Sequence, residues 1–175
     1  RAEQALRDSE ELFRSLAEQS LQGIFVLSRR RLVFANPMLT TITGHPADEL
    51  VHMSLPQLAQ MIHPRDRGFV RESLREALAP NNERGSRVEY RIVNRQGQTR
   101  WVLQQARSVR FDNRPGLVAV MLDITEHRTA EEQLLRAALY DNLTGLPNRA
   151  LFRDRVEMAR ERSGRYDGQA FAVLL

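Results

Sequence analysis

The sequence predicts an α+β domain built on antiparallel strands, and three observations carry that expectation. Strand signals and helical signals are segregated along the chain rather than alternating one for one. The two apolar runs "GIFVLS" and "RLVF" are separated only by an arginine turn, which reads as a hairpin. The three later strand signals, "SRVEYRIVN", "TRWVLQQARSVRF" and "GLVAVMLDI", are joined by "RQGQ" and "DNRPG", both turn compositions, so a meander follows.

From Ala2 to Leu16, the positions Leu6, Ser9, Phe13 and Leu16 recur at helical steps with acids and arginines between them. That is an amphipathic helix with a narrow seam suited to a partner helix, and residues 1–20 are assigned to it as a connecting segment. Gly23 ends the helical pattern before the hairpin. "ANPMLTTITG" then offers Asn36 as an N-cap, Pro37 at the first helical position and Gly44 as a stop. Residues 46–80 hold short helices punctuated by Pro46, Pro56 and Pro64; the longest places Phe69, Val70, Leu74, Ala77 and Leu78 on one face. In the last strand nearly every position from Leu117 to Leu122 is apolar, which predicts burial on both faces, with the N-terminal helix covering one.

Composition excludes several classes. The 175 residues have room for one ordinary domain and about a third of another. The absence of cysteine removes disulfides, thiolate zinc sites and thiol-linked cofactors. No apolar run approaches the ~20 residues of a membrane span and the charged N-terminus is no signal peptide, so a cytoplasmic segment without membrane contact is expected. The net charge of +4 could invite nucleic acid, but the arginines are interleaved with acids as in "RESLREAL", the pattern of a solvated helix face, so no nucleic-acid partner is expected.

The runs "FVLSRRRLVFANPMLTTITGHPADEL", "IHPRDR", "VEYRIVNRQGQTRWV" and "DIT", in this order, resemble the PAS family of sensor domains over roughly Glu10 to Thr125. The resemblance implies a five-stranded antiparallel sheet cupped by short helices, assigned to residues 21–125, and a sensory, dimerising or relaying role. It also implies that Asp123, Ile124 and Thr125 mark where a change in the sheet passes to an output helix, residues 126–140. Read from the residues alone, Asp123 has Glu126 three positions on, the capping-box spacing, and serves as a helix cap; the two readings stand side by side.

Further on, "DNLTGLPNRALFRDRV" closely resembles the start of a GGDEF domain, the diguanylate cyclase family, through Asp141, Leu143, Thr144, Gly145, Leu146, Asn148 and Arg149. The residues themselves predict a helix break over Asp141 to Gly145. A new helix then starts with Pro147 in its first turn, and "FAVLL" forms a buried strand. Residues 141–175 are thus the truncated α/β start of such a domain. The resemblance implies a parent enzyme using GTP and Mg²⁺, with an EAL phosphodiesterase domain as a further expectation from "LPNR…LFRDR". Its metal-binding aspartates would lie beyond "FAVLL", so this segment itself is expected to carry no catalytic residues, no metal and no cofactor. Ala130, Glu131 and Leu134 repeat Ala2, Glu3 and Leu6 at a constant offset, as in an array of sensor units within a longer protein.

Candidate ligand residues are few. Strand alternation sets Val102, Gln104 and Ala106 on one face and Trp101, Leu103 and Gln105 on the other; with the aromatic face toward the N-terminal helix, Gln104 points into the cavity. Its amide would either orient a small ligand or be satisfied by neighbouring backbone. His63 invites a haem reading, but the His-Pro step also shapes a turn, and His45 and His52 read as surface residues. The leading expectation is a PAS module that dimerises through its flanking helices and relays a signal to a C-terminal cyclase. The alternative is a haem- or flavin-binding redox or gas sensor.

Overall fold

A computed structural model of the chain describes residues 1–79, 82, 84–111 and 114–165. Two compact units emerge, Arg1–Thr125 and the remainder from Glu126. The first opens with α1 (Ala2–Glu18), then the hairpin of β1 (Gly23–Ser28) and β2 (Arg31–Ala35). Four short helices follow, α2 (Pro37–Thr43), α3 (Ala47–His52), α4 (Leu55–Gln60) and α5 (Arg67–Ala77), and then β3 (Ser86–Val93), β4 (Thr99–Phe111) and β5 (Arg114–Asp123). All pairings are antiparallel, and the five strands order as β2-β1-β5-β4-β3. The helical excursion thus carries the chain from one edge of the sheet to the other, and β5 returns to the centre beside β1.

The hairpin turn has two residues, Arg29 and Arg30, with φ of 52° and 61°. Such a turn matches the right-handed twist of its strands but favours Asn or Gly, so arginine there holds an uncommon backbone conformation. Pro37 opens α2 and Gly44, at φ 75°, closes it in the left-handed conformation. Ser54 and Gln57 form a reciprocal capping box on α4. The loop after α4 is pinned to the edge strand: the Val93 amide donates to the Met61 carbonyl (2.7 Å) and the His63 amide to that of Arg91 (2.9 Å).

The core lies between the inner face of the sheet and the helices. Val102, Ala106, Leu117, Ala119 and Met121 face inward from β4 and β5, against Leu39, Ile42, Leu50, Val70 and Ala77.

Four local expectations are corrected. Asn36 precedes α2 but does not cap it. Its side chain turns back: Oδ1 accepts from the Ile24 amide (2.8 Å), and Nδ2 donates to the carbonyls of Ala17 (2.8 Å) and Gln22 (2.9 Å). Fully buried, it fastens the end of α1 to the start of β1. Gly23 is the first residue of β1, four positions beyond Gln19 at the end of the helix; a Cβ there would lie 2.7 Å from Leu39 Cδ2, so the residue makes room for α2. On α5 the buried face is Val70, Ser73 and Ala77, while Phe69 and Leu78 are exposed, because the helix meets the sheet a fraction of a turn away from the apolar arc. On β5, Leu117, Ala119 and Met121 are buried, but Val118 and Val120 are half-buried and Leu122 is exposed. Helix α1 covers that outer face only in part: Phe13 and Leu16 line an apolar groove with Ile24, Phe34, Val118 and Val120, yet both remain more than half exposed.

The second unit carries α6, which runs from Thr125 to Leu139, a hydrogen-bonded loop, and α7 (Arg149–Arg165). Helix α6 has no buried residues, and Leu134 and Leu135 are well exposed. The expected "FAVLL" strand lies outside the described residues.

Candidate functional site

A cavity of about 440 Å³ lies between the inner face of the sheet and the helices. Its wall is apolar, with Phe25, Leu39, Leu50, Ile62, Val70 and Met121 among its residues. The polar exceptions on that wall are informative. Thr43 donates its hydroxyl to the Leu39 carbonyl (2.7 Å) and accepts from the His45 amide (3.2 Å). Tyr90 donates its hydroxyl to Gln104 Oε1 at 2.6 Å, and burial pushes the phenol well above its ordinary pKa, so it stays a neutral donor. Gln104 is 2% exposed, and its Nε2 has no hydrogen-bond partner among the described residues. An unpartnered buried amide donor costs about 1–3 kcal/mol, which makes it the group on this wall with most to gain from a ligand.

Gln104 therefore lines the cavity. Val102 and Ala106 share its face, fully buried in the core, and are not part of the cavity wall. The sequence carries no signal of the Tyr90 partner, because Tyr90 pairs with Val102 in the β3–β4 register and reaches Gln104 along the diagonal. Three arginines also border the cavity. Arg67 is committed to the carbonyls of Ile62 (2.9 Å) and Gln60 (3.0 Å), while Arg30 and Arg71 are exposed.

The junction between β5 and α6 is tied to the neighbouring strand. The Ile124 amide donates to the Trp101 carbonyl (2.9 Å), and the Trp101 amide donates to Thr125 Oγ1 (3.0 Å). Asp123 accepts from the Thr125 amide (2.9 Å) and hydroxyl (2.6 Å) through Oδ1, and from Arg100 through Oδ2 (2.9 Å). Burial pushes the Asp123 carboxyl up, but the bonds from Thr125 and Arg100 outweigh it and hold the group below the usual carboxylate range. The expected capping box with Glu126 is replaced by a turn one residue shorter, because Thr125 supplies both donors.

A further cluster adjoins this junction. Asp66, 5% exposed at the start of α5, accepts from the Arg91 amide (2.9 Å), Nε (2.9 Å) and Nη2 (2.6 Å). The Arg91 side-chain bonds hold the Asp66 carboxyl below its ordinary value. The Arg91 guanidinium in turn lies 5.3 Å from the centroid of the Trp101 ring, a cation–π distance. Trp101 thus packs on Arg91, and α1 lies on the same outer face of the sheet, along β1, β2 and β5. Asp66 and Arg91 escape a reading of the sequence because 25 residues separate them; "HPRDR" supplied only the hint of a fixed turn.

His63 belongs to that turn. Its Nδ1 accepts from the Arg65 amide (3.4 Å), its carbonyl accepts from the Asp66 amide (2.8 Å), and it does not line the cavity. His52 is exposed; His45 is half-buried, with Nδ1 3.2 Å from Glu49. Among the described residues no three His, Cys, Asp or Glu side chains are grouped to hold a metal ion.

In the second unit, Asp141 organises its own loop. Oδ1 accepts from the amides of Leu143 (3.2 Å) and Thr144 (2.9 Å) and from the Thr144 hydroxyl (2.8 Å), and these bonds, those of Thr144 foremost, lower its pKa. Gly145 sits at φ 69°, and its amide donates to the Asp141 carbonyl (2.9 Å). Asn148 joins both helices: Nδ2 donates to the Ala138 carbonyl (2.8 Å), and Oδ1 accepts from the amides of Ala150 (2.9 Å) and Leu151 (3.1 Å). Asn148 is therefore the cap of α7, and Pro147 precedes the cap rather than standing in the first turn. Arg149 is the first residue of α7, and Leu143 and Leu146 are strongly exposed.

The family model described as "PAS fold" matches residues 32–120. An uncharacterised protein of Sinorhizobium fredii is 30% identical over 164 residues, 88% of this chain and 19% of that protein. A blue-light-activated histidine kinase of Brucella anthropi is 34% identical over 90 residues, 51% of this chain and 17% of the kinase. The chain thus spans less than a fifth of the length of these relatives. Among solved structures, a sensory box histidine kinase/response regulator from Burkholderia thailandensis superposes with TM-score 0.52 at 20% identity, covering 88% of this chain and 98% of that one. The N-terminal domain of a diguanylate cyclase with PAS/PAC sensor from Marinobacter aquaeolei gives 0.50 at 20% identity, covering 61% and 98%. At these identities the structures speak to fold alone. No helix among the described residues is long and apolar enough to cross a membrane.

Proposed function

Because this chain belongs to the PAS-fold family, matched from residue 32 to residue 120, we propose that it is a sensory module. A ligand-responsive cavity would bias the junction at Asp123, Ile124 and Thr125, and through α6 the pairing of output domains in a homodimer. The observation that carries this reading is the tie between sheet and helix. Trp101 bonds the junction through both its amide and its carbonyl, so a shift of β4 moves the start of α6 with it. Gln104 stands on the same strand, three residues from Trp101, and faces the cavity. Such coupling requires two arrangements of similar energy that a ligand can bias. The exposed Leu134 and Leu135 on α6 are consistent with a helix that pairs with a second copy.

The output we propose is a diguanylate cyclase that takes GTP and Mg²⁺, as the Asp141 to Arg149 block resembles. In this reading the chain itself is non-catalytic, holds no metal, and should leave GTP unchanged. A second reading is favoured by the likeness to the Brucella anthropi kinase: the same module would drive an autophosphorylating histidine kinase. Assaying the full-length protein for GTP conversion to cyclic di-GMP and for phosphate transfer from ATP to histidine separates them. We expect cyclase activity that changes with Thr125→Ala; histidine phosphorylation without cyclase activity would overturn the cyclase reading.

A further inference from the structure

The cavity has an unusually narrow chemical offer. Of its polar groups, the Thr43 hydroxyl and the Tyr90 proton are already spent on protein acceptors, which leaves Gln104 Nε2 as a donor without a partner. Tyr90 donates to Oε1 at 2.6 Å, and in this arrangement the N–H end of the amide is the one left unpaired. No carboxylate lines the wall to balance a buried cation, and of the three arginines Arg67 is bonded to the carbonyls of Ile62 and Gln60 while Arg30 and Arg71 are exposed, so no unbonded buried charge stands there for an ionic ligand. Resting on the reading of this cavity as a sensory pocket, we infer that it takes a small, uncharged, largely apolar molecule presenting one carbonyl-type oxygen to Gln104 Nε2. Gln104 is then the residue that determines specificity.

This assignment stands against the larger cofactors. A flavin ring carries a row of donors and acceptors along one edge, and beside the exposed Arg30 and Arg71 the buried wall offers one unpaired donor, Gln104 Nε2, to meet them. Haem iron is most often held by imidazole or thiolate, and neither lines this wall; the Tyr90 phenol is spent on Gln104, which leaves only the thioethers of Met61 and Met121.

The test uses two molecules of nearly equal size, acetophenone and ethylbenzene, which differ in the carbonyl oxygen. Their affinities for the purified chain are measured by calorimetry, or by displacement of a neutral fluorescent naphthylamine. We expect acetophenone to bind roughly tenfold tighter, the worth of one buried hydrogen bond. In Gln104→Leu the preference should fall to within about twofold or reverse, since the donor is gone. Should that variant unfold because the Tyr90 hydroxyl is orphaned, the double variant Tyr90→Phe/Gln104→Leu removes both polar groups and should show the same loss. Equal binding of the two molecules to the native chain, a preference that survives in the variants, or no binding of either would each overturn the inference. The response of full-length output to Thr125→Ala is read without either molecule, so the sensory reading and this ligand class fail separately.

Discussion

Leu117 and Val118 are neighbours on β5, yet one is 1% exposed on the inner face and the other is half-buried on the outer. Their difference summarises two surfaces of one sheet. The inner surface is closed by helices of its own chain and is buried around a cavity. The outer surface is polar on β3 and β4, with Arg87, Glu89, Gln105 and Arg107 exposed, but apolar along β1, β2 and β5, where it is covered in part by α1, whose Phe13 and Leu16 remain more than half exposed. Apolar area that a chain does not cover for itself stabilises nothing in the monomer, and large patches of this kind mark interaction surfaces. The inner face therefore carries the stability of the fold, and the outer face is the natural seat of the proposed dimer.

The comparison can be broken most forcefully at its sharpest point. Leu117→Ala should cost about 3 kcal/mol in urea denaturation, while Val118→Thr next to it should cost under about 1 kcal/mol. Equal losses would mean that the outer face is as well packed as the inner.

Asp66→Ala should cost about 2 kcal/mol, since it removes the acceptor for three bonds from a half-buried arginine. The same group makes stability depend on pH. Its carboxyl titrates lower in the folded chain than in the unfolded one, so its contribution is complete above about pH 5. That contribution fades as pH falls through the ordinary carboxylate value of about 4 and is gone below the folded value. Native protein should lose stability across that window more steeply than Asp66→Ala, and parallel curves would show that the pair is idle.

The smallest effect on folding is expected at Leu16→Glu, within about 0.5 kcal/mol because the residue is exposed. Its effect on assembly should be large. Sedimentation at tens of micromolar should show native dimers and variant monomers, and native monomers would remove the outer face from the argument.

What could be read in advance followed period and punctuation. Strand alternation set Gln104 opposite Trp101, on the face away from whichever side the N-terminal helix takes, and the arginine turn, Pro37 and Gly44 marked element ends that the structure keeps. The rest depended on partners remote in the chain. Asn36 has the residue type and position of a helix cap, but a free carbonyl at Ala17 and the amide of Ile24 compete for its side chain, and tertiary partners win. Phe69 and Leu78 fit the apolar arc of α5, but the angle at which a helix meets a sheet is set by both surfaces. The Tyr90 hydroxyl and the Asp66–Arg91 pair become visible only once the β3–β4 register is known. Val118 and Leu122 misled in the opposite sense, because an apolar run says that a face avoids water without saying which chain will cover it.

The side chain of Asn36 also bears on how this module can be moved between proteins. By gripping Ala17 and Gln22 on one side and Ile24 on the other, it makes the last turn of the leading helix a structural part of the sheet. A chimera spliced at residue 21, where the strands begin to be legible, would leave a buried amide half empty-handed. The usable seam for recombination, natural or engineered, lies upstream of Ala17, and incoming and outgoing rods are inherited together with the receptor.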